Sequence, residues 1–153
     1  MEENRLRFRV PTNDDRENVL ELRREFEQYN QSMAVGDFGE SEDFNEWLTR
    51  IMNGANMELL ANGRPATFTY LSYRRTDDRL VGVVQIRLQD DRSFFGAQAR
   101  IAGCVRPTEQ GREYAINQID FARDICRQIG VDRIIASCGQ NDQAFVETFF
   151  SWK

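Results

Sequence analysis

Histidine is absent from the 153 residues. This removes the usual base of Ser/His and Cys/His nucleophilic machinery and the commonest metal ligand, so proton transfer falls to carboxylate, tyrosine, thiol or water. Cysteine is scarce: Cys104, Cys126 and Cys138 are odd in number, far apart, set in apolar stretches and without a CxxC pair. A structural zinc site and a disulfide framework are disfavoured, and buried reduced thiols are expected, which suits a cytoplasmic protein. Lysine occurs once, as Lys153, and arginine spreads the remaining positive charge along a chain of net charge −5. No basic stripe emerges, so no nucleic-acid partner is expected. Long apolar runs are missing as well. None nears the roughly 18 residues of a membrane span, and the start, "MEENRLRFRV", is charged and alternating. A soluble chain with no membrane partner is the expectation. Nor is there a P-loop or a GxGxxG run, which argues against an unrelated nucleotide-binding fold.

What the chain has is 41% hydrophobic residues, enough at this length for one core and a single domain over residues 1–153. "LRFRV" alternates Leu6, Phe8 and Val10 with arginine, the period of a strand with one wet face. Thr12 with Asp15 three residues on can form a capping box, and Val19, Leu22 and Phe26 then fall at helical spacing. Ser41 is a candidate cap for a second helix carrying Phe44, Trp47, Leu48 and Ile51. "MNGANMELLANGRP" reads as a polar surface connection. "ATFTYLSYRR" and "RLVGVVQIRL", joined by "TDD", predict a hairpin, and "ARIAGCVR" predicts a third antiparallel strand. Ala115, Ile119, Ala122, Cys126 and Ile129 then mark a long helix closed by Gly130. "DRIIASC" predicts a strand, and "NDQAFVETFFSWK" a final helix. The order β-α-α-β-β-β-α-β-α implies an α/β (α+β) domain with a mixed, mostly antiparallel twisted sheet flanked by helices. The strand, helix, strand unit near the end calls for a parallel pair.

Several segments, "RVPTNDD", "RREFE", "EWLTRI", "RLVGVVQIRL", "VRPTEQGREYA", "IGVDRIIASC" and "QND", resemble in order those of the GCN5-related N-acetyltransferase superfamily. Its members move an acyl group from acyl-coenzyme A to an amine. The resemblance spans residues 5 to 145, with "VRPTEQGREYA" its most specific piece. It implies acetyl-CoA as cofactor. It also implies that the strand ending at Cys104 and Val105 splays from its parallel neighbour and holds the pantetheine arm. The pyrophosphate would rest on amides of Gln110, Gly111, Arg112, Glu113, Tyr114 and Ala115, and Asn141 matches the asparagine after the second parallel strand. A helix N-terminus suits this task on general grounds, since it offers unpaired N–H groups and about half a positive charge to an anion.

The sequence departs from the family pattern at three places. Glu113 replaces a glycine, and a carboxylate 4 Å from phosphate costs about 1 kcal/mol in water. Read as a helix-start residue, Glu113 changed to glycine would cost helix stability. Ala144 replaces a serine that often contacts the cofactor. The chain also stops at "FFSWK", where relatives add two more strands, so the "DRIIASC" edge is expected to be open or covered by another copy, a possible homodimer.

If transfer is retained, a neutral amine attacks the thioester directly, and the backbone N–H of Val105 stabilises the oxyanion. Glu58 and Asp90, beside the sheet, are candidate catalytic bases. The acceptor pocket implied by the resemblance lies near Glu25, Tyr29, Phe38 and Trp47, which would suit a cationic small-molecule or peptide amine. No metal is implied. The alternative is a noncatalytic descendant that keeps the fold as a binding or scaffold module.

Overall fold

The computed structural model describes residues 5–33, 35–39, 41–91, 96–131, 133–137 and 147–151. Six strands form one sheet in the order β1 (Leu6–Arg9), β2 (Ala66–Arg74), β3 (Arg79–Asp91), β4 (Gly96–Val105), β5 (Arg133–Ser137) and β6 (Glu147–Ser151). Every neighbouring pair is antiparallel except β4 and β5, which run parallel. The helices are α1 (Arg16–Gln28), α2 (Phe44–Gly54), α3 (Met57–Ala61) and α4 (Tyr114–Gln128).

The local chemistry sets the helix ends. Thr12 and Asp15 form the expected capping box, on a short 3-10 turn that runs into α1. The second helix is capped by Asp43 rather than Ser41: Asp43 Oδ1 accepts from the Glu46 N–H at 2.8 Å, and Glu46 Oε1 accepts from the Asp43 N–H at 3.0 Å. A carboxylate with an acidic partner three residues on outcompetes an isolated serine. At the end of α4, Gly130 takes φ +83°, and the N–H groups of Gly130 and Val131 return to the carbonyls of Arg127 and Cys126. This is the glycine stop that the sequence pattern announced.

Two cores flank the sheet. On one face α1 and α2 pack Leu22, Phe26, Trp47 and Ile51 against Leu71, Tyr73, Val83 and Cys104. On the other, Ala122 and Cys126 of α4 cover Ile86, Ile101 and Ile134, while Tyr114 and Ala115 cover Val81 and Val105. Strand β4 alternates accordingly, with Ile101 and Val105 toward α4 and Ala102 and Cys104 toward the first two helices.

Three expectations are corrected. The stretch read as a polar connection contains α3, a five-residue helix capped by Asn56, whose Oδ1 accepts from the Glu58 N–H. The segment read as a final helix contains β6, which pairs antiparallel with β5 from Arg133↔Ser151 to Ser137↔Glu147. Phenylalanine and threonine in "ETFFS" fit a strand as well as an amphipathic helix, and pairing with an otherwise bare edge decides between them. The edge is thus covered by the chain itself, which removes the reason for expecting a second copy there.

Candidate functional site

Among the described residues the parallel ladder between β4 and β5 runs from Gln98↔Arg133 to Ala102↔Ser137, and β4 continues to Val105. The other side of β4 stays paired with β3 as far as Gly82↔Val105, and the Arg106 N–H donates to the Val81 carbonyl at 2.8 Å. Antiparallel pairs alternate between bonded and unbonded. The bonded position at Val81 and Arg106 therefore makes Gly82 and Val105 an unbonded pair, with the N–H and C=O of Val105 turned away from β3, toward the β5 side of the strand. The Val105 carbonyl there accepts from Gln110 Nε2 at 2.9 Å. Its N–H has no partner among the described residues.

From this point the chain turns into α4 through residues 106–113, and two buried carboxylates hold the turn. Arg106 is 3% exposed and packs its guanidinium on Glu25 of α1, donating from Nε at 2.9 Å and from the terminal nitrogen at 2.7 Å. The other Glu25 oxygen accepts from the N–H and the hydroxyl of Thr108, at 2.8 and 2.7 Å. Burial pushes the Glu25 carboxyl up, but the bonds from Arg106 and Thr108 outweigh it and hold the carboxyl below its ordinary value. On the opposite flank, Glu109 accepts from Arg74 at 2.7 Å and from Arg79 at 2.9 Å. Pro107 opens the short 3-10 turn between these anchors and keeps Arg106 extended. The turn is therefore rigid before any ligand arrives.

At the start of α4 the Asn117 N–H is the first to bond within the helix, to the Glu113 carbonyl. The amides of Tyr114, Ala115 and Ile116 are left without an intrahelical acceptor. Gly111 takes φ +82°, and among the described residues a Cβ built on it would meet nothing within 4 Å. Glu113 takes φ +67°, the left-handed conformation that favours glycine, and its side chain makes no capping bond. A residue in this conformation lies outside the helix as its N-cap, so the helix-propensity argument for Glu113 fails. A non-glycine residue there costs roughly 1–2 kcal/mol. Arg112 pairs with Glu109 at 3.4 Å. A phosphate-rich group fits these amides, with the Glu113 carboxylate as the opposing charge.

The other expected site residues fall as follows. Glu25 spends its carboxylate on the turn, as described. Trp47 is fully buried and donates from Nε1 to the Gly36 carbonyl at 2.8 Å, a core role. Phe38 is half-buried and stacks on Trp47 at 5.2 Å, and Tyr29 is exposed at the end of α1. The loop after α1 does reach the site: Gln31 Oε1 accepts from Gln110 Nε2 at 2.9 Å, and the Val35 carbonyl lies 3.7 Å from Cys104 Sγ. Asp90 pairs in register with Ala97, eight positions from Val105 along β4. At about 3.4 Å per residue it stands roughly 27 Å from the Val105 amide, beyond reach of direct proton transfer. Glu58 is exposed at the start of α3, which leads into β2 at that same far end, where Ala66 pairs with Leu88. Neither carboxylate shares the site with Val105, because position along the strand, which the sequence pattern did not fix, separates them. Asn141, Ala144 and Cys138 lie outside the described residues. Cys104 and Cys126 are both buried.

Sequence reasoning missed Arg106, Thr108, Gln31 and the fully buried Gln118 of α4. For Gln118 a signal existed: it falls inside the apolar stripe between Ala115 and Ala122, where a polar residue needs a reason.

A protein-family profile for the acetyltransferase (GNAT) domain matches residues 5–148. No curated protein matches the sequence. Among solved structures, a GNAT family acetyltransferase of Staphylococcus aureus superposes with a TM-score of 0.63 at 13% identity, covering 97% of this chain and 98% of that one. The microcin C7 self-immunity acetyltransferase MccE, solved with acetyl-CoA and AMP, gives 0.61 at 15% identity over 92% of this chain and 73% of its own. A ribosomal-protein-alanine N-acetyltransferase of Brucella melitensis gives 0.60 at 11% identity over 88% and 82%. At such identities these neighbours speak for the fold alone.

Proposed function

Since the chain belongs to the acetyltransferase (GNAT) domain family, we propose that it is an acetyl-CoA-dependent N-acetyltransferase whose amine acceptor attacks directly within a ternary complex. One observation carries the reading: β4 ends in a Val105 N–H directed away from β3, and a stapled turn leads from there into the α4 amides that have no intrahelical acceptor. Bound acetyl-CoA would supply the activated acetyl group. The amides from Gln110 to Ala115 would hold its pyrophosphate at the positive end of the α4 dipole. On this stretch Val105 alone would turn backbone groups to the pantetheine arm, since the Cys104 carbonyl faces β3 and Gln118, and Asn141 would be a further contact. Val105 N–H would donate to the thioester oxygen, where negative charge develops during attack.

Glu25, Arg106 and Thr108 act in this reading as the frame that sets the turn, and the acceptor approaches from the side of the loop after α1, near Phe38 and Tyr29. Only the neutral amine is nucleophilic, so the rate should climb with pH toward the acceptor's own pKa, near 10 for an alkylamine. The acceptor class is a small-molecule or peptide amine. A cytoplasmic setting accords with the free buried thiol of Cys126. No helix among the described residues is long and apolar enough to cross a membrane.

The test is release of coenzyme A thiol from acetyl-CoA across a panel of amines. Amine-dependent release is expected. Glu113, strained and anionic at the phosphate position, favours the second reading, a noncatalytic module. Binding of acetyl-CoA without transfer to any amine, or no binding at all, would give that reading the advantage.

A further inference from the structure

Gln118 stands apart among the buried polar groups. Its side chain is fully enclosed between α4 and the sheet. Nε2 donates to Ser72 Oγ at 3.0 Å and to the Cys104 carbonyl at 3.1 Å, with the Val83 carbonyl at 3.4 Å. Oε1 has no hydrogen-bond partner among the described residues. A buried acceptor left unpaired is destabilising relative to an apolar side chain of the same size, so packing alone does not account for glutamine here.

The sheet makes room for this amide. A Cβ on Gly82 would fall 2.1 Å from the Cys104 carbonyl oxygen and 2.8 Å from Gln118 Nε2, and one on Gly103 would fall 2.4 Å from Gln118 Oε1. Two strand glycines therefore let the glutamine reach the backbone of β4.

The carbonyl it reaches belongs to the peptide that joins Cys104 to Val105. In a planar trans peptide the C=O and N–H point in opposite directions. The Cys104 oxygen turns toward β3 and Gln118, and the Val105 N–H turns away from β3. By ladder alternation the Val83 N–H is one donor to that oxygen, and Gln118 is a second. Each donor on a carbonyl polarises the peptide and strengthens the N–H at its other end. We propose that Gln118 is a positioning residue for acetyl transfer, fixing the plane of the Cys104–Val105 peptide and sharpening the Val105 N–H as donor to the thioester oxygen. The assignment rests on the acetyl-transfer reading above.

Gln118→Met removes the donor and the orphaned acceptor while keeping length and volume. The readouts are the Val105 amide nitrogen resonance in the ligand-free protein, kcat, the KM for acetyl-CoA, and the carbonyl stretch of the bound thioester. Expected are an upfield move of the Val105 resonance, a higher stretching frequency and an unchanged KM. The kcat should fall about three- to tenfold, a fraction of the 10²–10³-fold that deleting an oxyanion donor costs. Ser72→Ala, which removes another acceptor of the same amide, should leave all four at their original values. Gln118→Asn, one methylene short of Cys104, should follow Gln118→Met and takes its place if the methionine variant does not fold. An unmoved Val105 resonance, or a kcat loss that Ser72→Ala reproduces, would overturn the proposal. A moved Val105 resonance in a protein that binds no acetyl-CoA would instead overturn the acetyl-transfer reading, leaving the polarised peptide standing.

Discussion

Glu113→Gly tests the turn most sharply, because one substitution acts on two measurable quantities for separate physical reasons. Glu113 sits at φ +67° with no capping bond. Relief of the left-handed conformation should return about 1–2 kcal/mol, against roughly 0.5–1 kcal/mol for the greater freedom of glycine in the unfolded chain. The net is about 0–1.5 kcal/mol of stabilisation, centred near 0.75. In a domain of this size that central value raises Tm by roughly 1.5–3 °C. The same change removes a carboxylate beside the proposed phosphate position. Loss of about 1 kcal/mol of partly screened repulsion should tighten coenzyme A binding about five- to tenfold at low salt. Glu113→Ala separates the two effects. It discards the charge and should share the gain in affinity, yet it keeps a Cβ at positive φ and should show little of the gain in Tm. Thermal unfolding without ligand and calorimetric titration with coenzyme A measure both. A glycine variant no more stable than the alanine variant would refute the conformational argument, and unchanged affinity in both would refute the phosphate cradle.

Glu25→Leu removes the closer carboxylate from the buried Arg106, leaving it the more exposed Glu21 at 3.2 Å, and should cost at most about 3–5 kcal/mol in urea unfolding, with binding of acetyl-CoA weakened because the turn loses one staple. Asp15 behaves like Glu25: burial raises its carboxyl, but the bonds from the Tyr73 hydroxyl, the Thr12 N–H and Arg9 outweigh that and leave it below its ordinary value. Carboxyls held low in the folded state stabilise it above their unfolded values, so the contribution of both should be lost as pH falls below about 4, read as a falling Tm in an acid series. Burial pushes the Cys126 thiol up to about 11, so Cys126 should resist a thiol reagent at pH 8 in the folded protein and react on unfolding; rapid labelling of the native protein at Cys126 would count against the packing of α4. Removing residues 147–153 should bare the β5 edge and produce association in light scattering, whereas a monodisperse truncated chain would contradict the pairing of β6.

Much of the fold was legible because its signals are local. The alternation in β1, the Thr12–Asp15 box and the Gly130 stop each act within a few residues, and each recurs in the structure. The order of elements, with a single parallel crossover, then fixed the topology. Segments whose state depends on distant partners were not legible: "ETFFS" becomes a strand because β5 offers it an edge, and α3 packs Leu60 on the second core. At the site, the turn motif located the amides of α4, but the staples came from side chains far apart in sequence. Glu25 reaches Arg106 across 81 positions, and Gln118 reaches Ser72 across 46. Neither distance leaves a mark on either segment alone. Glu58 and Asp90 lie away from Val105 for a related reason, since being beside the sheet says nothing of position along it.

The central claim is that β4 and the start of α4 form one cradle, with thioester at Val105 and phosphates on the helix amides. Titration of the protein with acetyl-CoA, followed residue by residue through backbone amide resonances, tests it most directly. The account predicts saturable shifts that are largest at Val105 and across residues 110–116, with Asp90 and Glu58 unmoved. Shifts concentrated elsewhere, or none in the presence of excess acetyl-CoA, would contradict it.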